Sequence, residues 1–339
     1  MSRKVSILFV DDEPNILRAV RRHVYSYRDR WDMHFAYGGV DAVKVITRET
    51  VDIIITDMRM PEVDGSRLLE WISEHHPQII RIVLSGEAKL DEIYRIVGRS
   101  HRFLAKPCSP GAIISVIKDV VDARLHDQLE NGTIELSMLD RLNTPSSLSN
   151  ELQLALQADA PSCEEVAAIA RKDPSLTLRL LQLSNSAYFK DPFPTCSVRK
   201  AVAYVGVDRL RDLIEVGRLG QESRGQDREG FQPEEAYWLA RASQNHCSSL
   251  TNDADAISAA YVLGMGLRSG AVEPSGTLGQ VAKRAAYLMV LLGLPEILGA
   301  SLMHLAASNA SAPFEQWPRL IGDAVVEQSA RLQDRGVAA

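Results

Sequence analysis

Hydrophobic positions follow two different rhythms along this chain. As far as about residue 126, short apolar runs alternate with longer stretches of helical spacing. Val5–Val10, Met33–Ala36, Asp52–Thr56, Ile79–Leu84 and Arg102–Leu104 read as strands. Continuous β-rich runs of this kind are expected of parallel strands buried on both faces. Helical segments lie between them. One is opened by Pro14, followed by Val40–Arg48, Ser66–His75 with Leu68, Leu69 and Ile72 on one face, Leu90–Val97 and Ala112–Leu125. Strand and helix in strict alternation predict an α/β domain over residues 4–126, a five-stranded parallel sheet doubly wound with helices.

After Leu125 the rhythm changes. Glu130-Asn131-Gly132-Thr133 is a turn cluster, and residues 127–134 are assigned as a linker. Apolar residues then recur at helical spacing, as in Val166, Ile169 and Ala170, or Leu210, Leu213 and Ile214. Asp173-Pro174 reads as an N-cap followed by proline in the first turn. The polar, glycine-rich stretches 220–230 and 271–276 read as loops. Residues 135–330 are therefore expected to form an all-α domain. The apolar run Leu288–Leu294 is broken by Pro295 and Glu296, which favours a buried helix over a membrane span.

Composition narrows the picture. A chain of 339 residues with 45% hydrophobic and 24% charged residues has material for two soluble cores. A net charge of -6 argues against binding nucleic acid by bulk electrostatics. Cys108, Cys163, Cys196 and Cys247 form no C-x-x-C pair and no zinc spacing, so reduced thiols are expected. The residues before Val5 are too few for a signal peptide, and a cytoplasmic protein with no membrane contact is predicted.

The candidate chemistry sits at strand ends. Asp57 closes the run Val51–Thr56, and Asp11 and Asp12 close Val5–Val10. In an open parallel sheet both ends point to the carboxyl edge, where such folds place their chemistry. Three acids at one edge repel one another unless a cation sits among them, so a metal is predicted. Asp11-Asp12, Asp57 with Met60-Pro61 and Gly65, Ser85-Gly86, Phe103 and Lys106-Pro107 together resemble the receiver domain of two-component response regulators. The resemblance covers residues 4–126 and implies a flavodoxin-like sheet order. It further implies phosphorylation of Asp57 by a histidine kinase. The same resemblance gives Mg²⁺ held by Asp11, Asp12, Asp57 and the backbone carbonyl of Arg59, with Lys106 paired to the phosphoryl group. It implies a cis Lys106-Pro107 bond, and a switch in which Ser85 turns toward the phosphoryl group while Phe103 moves inward.

The second half resembles the HDOD family, relatives of the HD phosphohydrolases. The resemblance rests on Leu142-Asn143-Thr144-Pro145, Ile169–Leu176, Leu180–Phe189 and Ser197–Val202. HD hydrolases need a His-Asp doublet, and Leu267-Arg268 stands where relatives carry it. His246 and His304 are the histidines of this half, and neither precedes an Asp. A metal site is not expected here, and the domain is read as non-catalytic. Asn185 is assigned a structural part, capping or bridging helix ends. Ala201–Val216 contains a helix–Gly–helix pattern flanked by Arg199, Lys200, Arg209, Arg211 and Arg218, but Asp208, Asp212 and Glu215 would face phosphates, so a helical hairpin is preferred to a DNA-reading element. The expectation is a response regulator that relays its signal, by changed docking or by homodimerisation, to a downstream protein partner. The competing expectations are a domain that senses or hydrolyses a cyclic nucleotide, and a DNA-binding regulator.

Overall fold

The structure is a computed structural model. It describes residues 3–86, 96–97, 99–131, 146–158, 161–186, 194–215, 233–268, 277–308 and 312–334. Most of the expected helix Leu90–Val97, the motif Leu142–Pro145, the end of the motif Leu180–Phe189 and the loops 220–230 and 271–276 lie outside the described residues. So do residues 132–134 of the assigned linker and the side chain of Ser85. The chain divides into two compact units, one reaching to Asp122 and the other beginning at Ala123.

The first unit is built on five strands: β1 (Val5–Val10), β2 (Trp31–Ala36), β3 (Ile53–Asp57), β4 (Ile80–Ser85) and β5 (Arg102–Ala105). They pair in the order β2-β1-β3-β4-β5, and every pairing is parallel. The central strands are apolar on both faces because both faces are covered, and Ile7, Leu8, Ile53, Ile54 and Ile82 are fully buried. β2 starts earlier than its apolar pattern, at Trp31, because that indole is buried and stacked on Tyr27 with ring centroids 4.5 Å apart. Helices α1 (Pro14–Val24), α2 (Gly39–Arg48), α3 (Gly65–His75) and α4 (Pro110–Asn131) complete the described part of this alternation. In α1, Leu17, Val20 and Val24 form the buried stripe, at the three- and four-residue spacing that a helix face requires. The backbone of α4 stays helical to Asn131, past the expected helix end at Leu125, because no glycine or proline interrupts the pattern before Gly132.

The described part of the second unit is helical: α5 (Ser146–Gln157), α6 (Cys163–Ala170), α7 (Pro174–Ser184), α8 (Val198–Val205), α9 (Val207–Glu215), α10 (Pro233–Leu250), α11 (Ala254–Arg268), α12 (Leu278–Leu291), α13 (Glu296–Ser308) and α14 (Trp317–Asp334). The helix starts carry side-chain caps. Ser162 caps α6, Asp173 caps α7 with its carboxylate 2.9 Å from the Ser175 amide, and Thr277 and Gln280 form a reciprocal box on α12. Helices α10 and α11 cross closely. A methyl group at Gly264 would lie 2.6 Å from the Ala240 Cα, so only hydrogen fits there. Leu288–Leu294 is buried as expected, although α12 stops at Leu291 and a turn leads into α13. Among the described residues no helix is long and apolar enough to cross a membrane.

Candidate functional site

Register brings the acids together. Val10 pairs with Thr56, so Asp11 and Asp57 emerge side by side at the carboxyl edge of neighbouring strands. Both are buried, at 2% and 9% exposure. Lys106 follows β5 and reaches across β4 to this point. Its Nζ lies 2.8 Å from Asp57 Oδ1 and 3.1 Å from Asp11 Oδ2. The other oxygen of Asp11 accepts the Glu13 amide at 2.9 Å. Burial pushes the Asp11 carboxyl above its ordinary value even so, against the pull of the Glu13 amide and Lys106. Burial alone would lower Lys106, but its hydrogen bond to Asp57 and the charges of Asp57 and Asp11 outweigh that and hold the ammonium above its ordinary value. The cluster is therefore a lysine clamped between two carboxylates, one of which is short of compensation.

The turn after β3 folds back on Asp57. The Gly65 amide donates to the Met58 carbonyl at 2.9 Å, and a methyl group on Gly65 would lie 2.2 Å from the Asp57 carbonyl oxygen. Asp64 caps α3, accepting from the Arg67 amide at 2.9 Å and the Ser66 hydroxyl at 2.7 Å. Glu62 holds a left-handed conformation at φ 63°, a costly one for a residue with a side chain. Arg59 sits in this turn, two residues past Asp57, and Asp12 is half-buried beside Asp11.

The remaining expected residues fall as follows. Lys106-Pro107 is cis. Ser85 closes β4, its backbone in register with Ala105. Phe103 lies inward, 8% exposed within the core that includes Val83 and Ile96. Among the described residues no three acidic, histidine or cysteine side chains converge as in a formed metal site; the Lys106 ammonium stands between Asp11 and Asp57 instead. The donor set still suits a hard divalent cation. It consists of carboxylate and carbonyl oxygens, the ligand type that such an ion prefers.

One buried ionisable pair was not anticipated. Arg81 is fully buried in β4 and donates to the carbonyls of Pro77 and Ile79, each at 3.1 Å, and of Arg99. His101 lies beside it, with Nε2 3.2 Å from the guanidinium. Burial, and then the Arg81 charge, push His101 well below its ordinary value. The signal in the sequence was a single charged residue inside the apolar run Ile79–Leu84.

Polar groups in the second unit are engaged with their own surroundings. Asn185 bridges the end of α7 to Thr195, donating to the Leu181 and Thr195 carbonyls at 2.8 and 2.9 Å and accepting the Thr195 amide at 2.7 Å. Arg211 donates twice to the Leu156 carbonyl at the end of α5, at 3.0 and 2.8 Å. Arg199 pairs with Glu164 and Lys200 with Asp255. His246 and His304 each reach α14, on Asp323 at 2.9 Å and Glu327 at 3.2 Å. Leu267 is buried.

Comparison with known proteins agrees with both halves. Residues 7–118 match the response regulator receiver domain and residues 142–266 match the HDOD domain. The chain is 26% identical over 186 residues to the hydrogenase transcriptional regulatory protein HoxA of Cupriavidus necator, covering 50% of this chain and 38% of that protein. It is 26% identical over 162 residues to the response regulator protein PilR of Pseudomonas aeruginosa, covering 48% of this chain and 36% of that protein. Among solved structures it is similar to the signal receiver domain of an HD domain-containing protein from Pseudomonas fluorescens Pf-5, at 26% identity and a TM-score of 0.34, over 35% of this chain and 96% of that one. The chain thus spans less than half the length of these curated relatives. It joins a response regulator receiver domain to an HDOD domain.

Proposed function

We propose that Asp57 is the phosphoacceptor of a two-component system and that the helical domain relays its state to a protein partner in the cytoplasm. The observation that carries this reading is the placement of Lys106 within 3.1 Å of both Asp57 and Asp11 at the sheet's carboxyl edge. A nucleophile there has a cation on hand and is itself largely buried. An Asp57 carboxylate oxygen bonds to phosphorus while the P–N bond of a kinase phosphohistidine breaks, and the electron pair leaves on the imidazole nitrogen. Lys106 then turns from the carboxylate pair to a phosphoryl oxygen, a role suited to a compact point charge. Asp11, Asp12 and Asp57, with the Arg59 carbonyl, are the ligands that would hold Mg²⁺, which when bound would offset charge on the transferred group. Ser85 is the hydroxyl proposed to meet the phosphoryl group, with Phe103 filling the core behind it.

The helical domain is proposed to act without chemistry of its own. Its histidines are spent on acids of α14, and Arg199, Lys200 and Arg211 are spent on Glu164, Asp255 and the Leu156 carbonyl, which leaves a protein partner as the better fit than DNA. The test is incubation of the full chain with Mg²⁺ and acetyl phosphate, read by intact mass. One added phosphoryl group, lost when EDTA replaces Mg²⁺, is expected. No covalent species at any Mg²⁺ concentration would overturn the reading.

A further inference from the structure

Strand β5 stands at the end of the sheet order and leads directly into Lys106. It is held by β4 through four paired residues, from Ile82 with Arg102 to Ser85 with Ala105. Its own pattern specifies that register weakly: Phe103 is buried, Arg102 and Leu104 are half-buried, and Ala105 is exposed. A slip of one residue exchanges the side chains facing the core, and Leu104 could then enter where Phe103 stands. The same slip moves the strand's end by about 3.3 Å, which breaks the 2.8 Å contact of Lys106 Nζ with Asp57. At the opposite end of this pairing Arg81 and His101 meet. Both main-chain groups of Arg81 end on His101: the amide donates to Nδ1 at 2.9 Å, and the carbonyl accepts the His101 amide at 2.8 Å. The buried guanidinium donates to the carbonyls of Pro77, Ile79 and Arg99, so one planar fork ties the approach to β4 to the approach to β5. Arg99 is held a second time by its side chain, on Glu70 of α3. Burying a guanidinium costs desolvation that an apolar side chain avoids, and such groups can serve a specific arrangement rather than stability.

We propose that Arg81 and His101 are positioning residues: together they pin the register of β5 on β4 from the amino end of the strands, and so set Lys106 between Asp57 and Asp11 at the carboxyl end. The consequence for chemistry rests on the phosphoacceptor reading, and the inference adds two residues that serve the site without touching it. On this account the imidazole matters as an acceptor at Nδ1 and the guanidinium as a fork. Neither takes part in phosphoryl transfer.

The test uses the full chain as wild type, Arg81→Met, His101→Leu, His101→Asn, Lys106→Ala and the double variant Arg81→Met with Lys106→Ala. Intact mass follows the rate of phosphorylation by acetyl phosphate with Mg²⁺, and amide hydrogen exchange reads residues 102–106. Arg81→Met and His101→Leu are expected to lose protection in β5 and to gain phosphoryl mass about tenfold more slowly or worse, the scale of a displaced catalytic group. His101→Asn, whose side-chain oxygen can stand in for Nδ1, is expected to keep both. If Arg81 acts only through Lys106, the double variant is no slower than Lys106→Ala alone, whereas general destabilisation would add to it. A wild-type rate or intact β5 protection in Arg81→Met, a double variant slower than Lys106→Ala, or His101→Asn as impaired as His101→Leu would each overturn the pin while leaving Asp57 as phosphoacceptor. Should Arg81→Met fail to fold, the contrast between the two His101 variants decides. Absence of phosphoryl mass in wild type would instead remove the phosphoacceptor reading, and β5 exchange alone would then judge the pin.

Discussion

The two units treat buried charge in opposite ways. At the sheet edge of the receiver, Asp11, Asp57 and Lys106 share one cation between two carboxylates, and the Asp11 carboxyl is pushed upward by its burial. In the helical unit, polar side chains serve backbone ends and neighbouring helices: Asp173 caps α7, Asn185 holds Thr195, and Arg211 closes α5. Folding gains from groups that are satisfied, whereas a nucleophile needs charge that is held in place but incompletely offset. A buried polar residue is therefore informative about chemistry only when its partners are counted. Asp52 makes the point within the receiver itself. It is as buried as Asp57, yet Arg3 and the Ser6 amide occupy it at 2.6 and 2.8 Å, and it is assigned no reactive part.

The largest effects should come from the two glycines where backbones nearly touch. Gly65→Ala and Gly264→Ala each force a methyl group against main chain, and overpacking of this kind costs about 1–3 kcal/mol. Chemical denaturation should show both losses, but only Gly65→Ala should also lower phosphorylation by acetyl phosphate, because it displaces the turn behind Asp57. Equal phosphorylation defects in both would erase the functional distinction between the units.

Asn185→Ala comes next. It strands the amide and carbonyl of Thr195 in a half-buried site, for about 1–3 kcal/mol. The loss should appear as a lower denaturation midpoint with Asp57 phosphorylation unchanged. A variant of wild-type stability that fails in signalling would mark Asn185 as a binding residue instead.

A smaller, pH-dependent effect belongs to His101. Its folded-state value is depressed by burial and by Arg81, so in the folded receiver it stays neutral where the unfolded chain takes up a proton. Its contribution is fully present above about pH 6.5 and is lost as pH falls below that value, with a limiting slope of about 1.4 kcal/mol per pH unit. Comparison of wild type with His101→Gln by denaturation between pH 7.5 and pH 5 should show the variant with the shallower loss. Parallel curves would mean that His101 is protonated in the folded state.

The receiver was largely legible from its sequence because its chemistry lies where periodicity ends. Strand ends are visible as an apolar run stopping at Asp11, Asp57 or Lys106, and parallel order then puts them on one edge. The pair of Arg81 and His101 was illegible because nothing in local spacing says that a β4 residue and one twenty positions on, just before β5, meet in the core. The end of α4 was misplaced because a turn cluster outweighed the helix formers before it. Asn185 was legible as a bridging residue, but its partner ten residues away was not, since a tertiary hydrogen bond leaves no periodic trace.

The most direct test of the central claim is to locate the phosphoryl group. Wild type, Asp57→Asn and Asp52→Asn would be treated with acetyl phosphate and Mg²⁺, reduced with borohydride to convert any aspartyl phosphate to homoserine, and mapped by peptide mass spectrometry. The account predicts homoserine at position 57 in wild type and in Asp52→Asn, and none anywhere in Asp57→Asn. Homoserine at position 52 or in the helical unit, or undiminished labelling of Asp57→Asn, would contradict it.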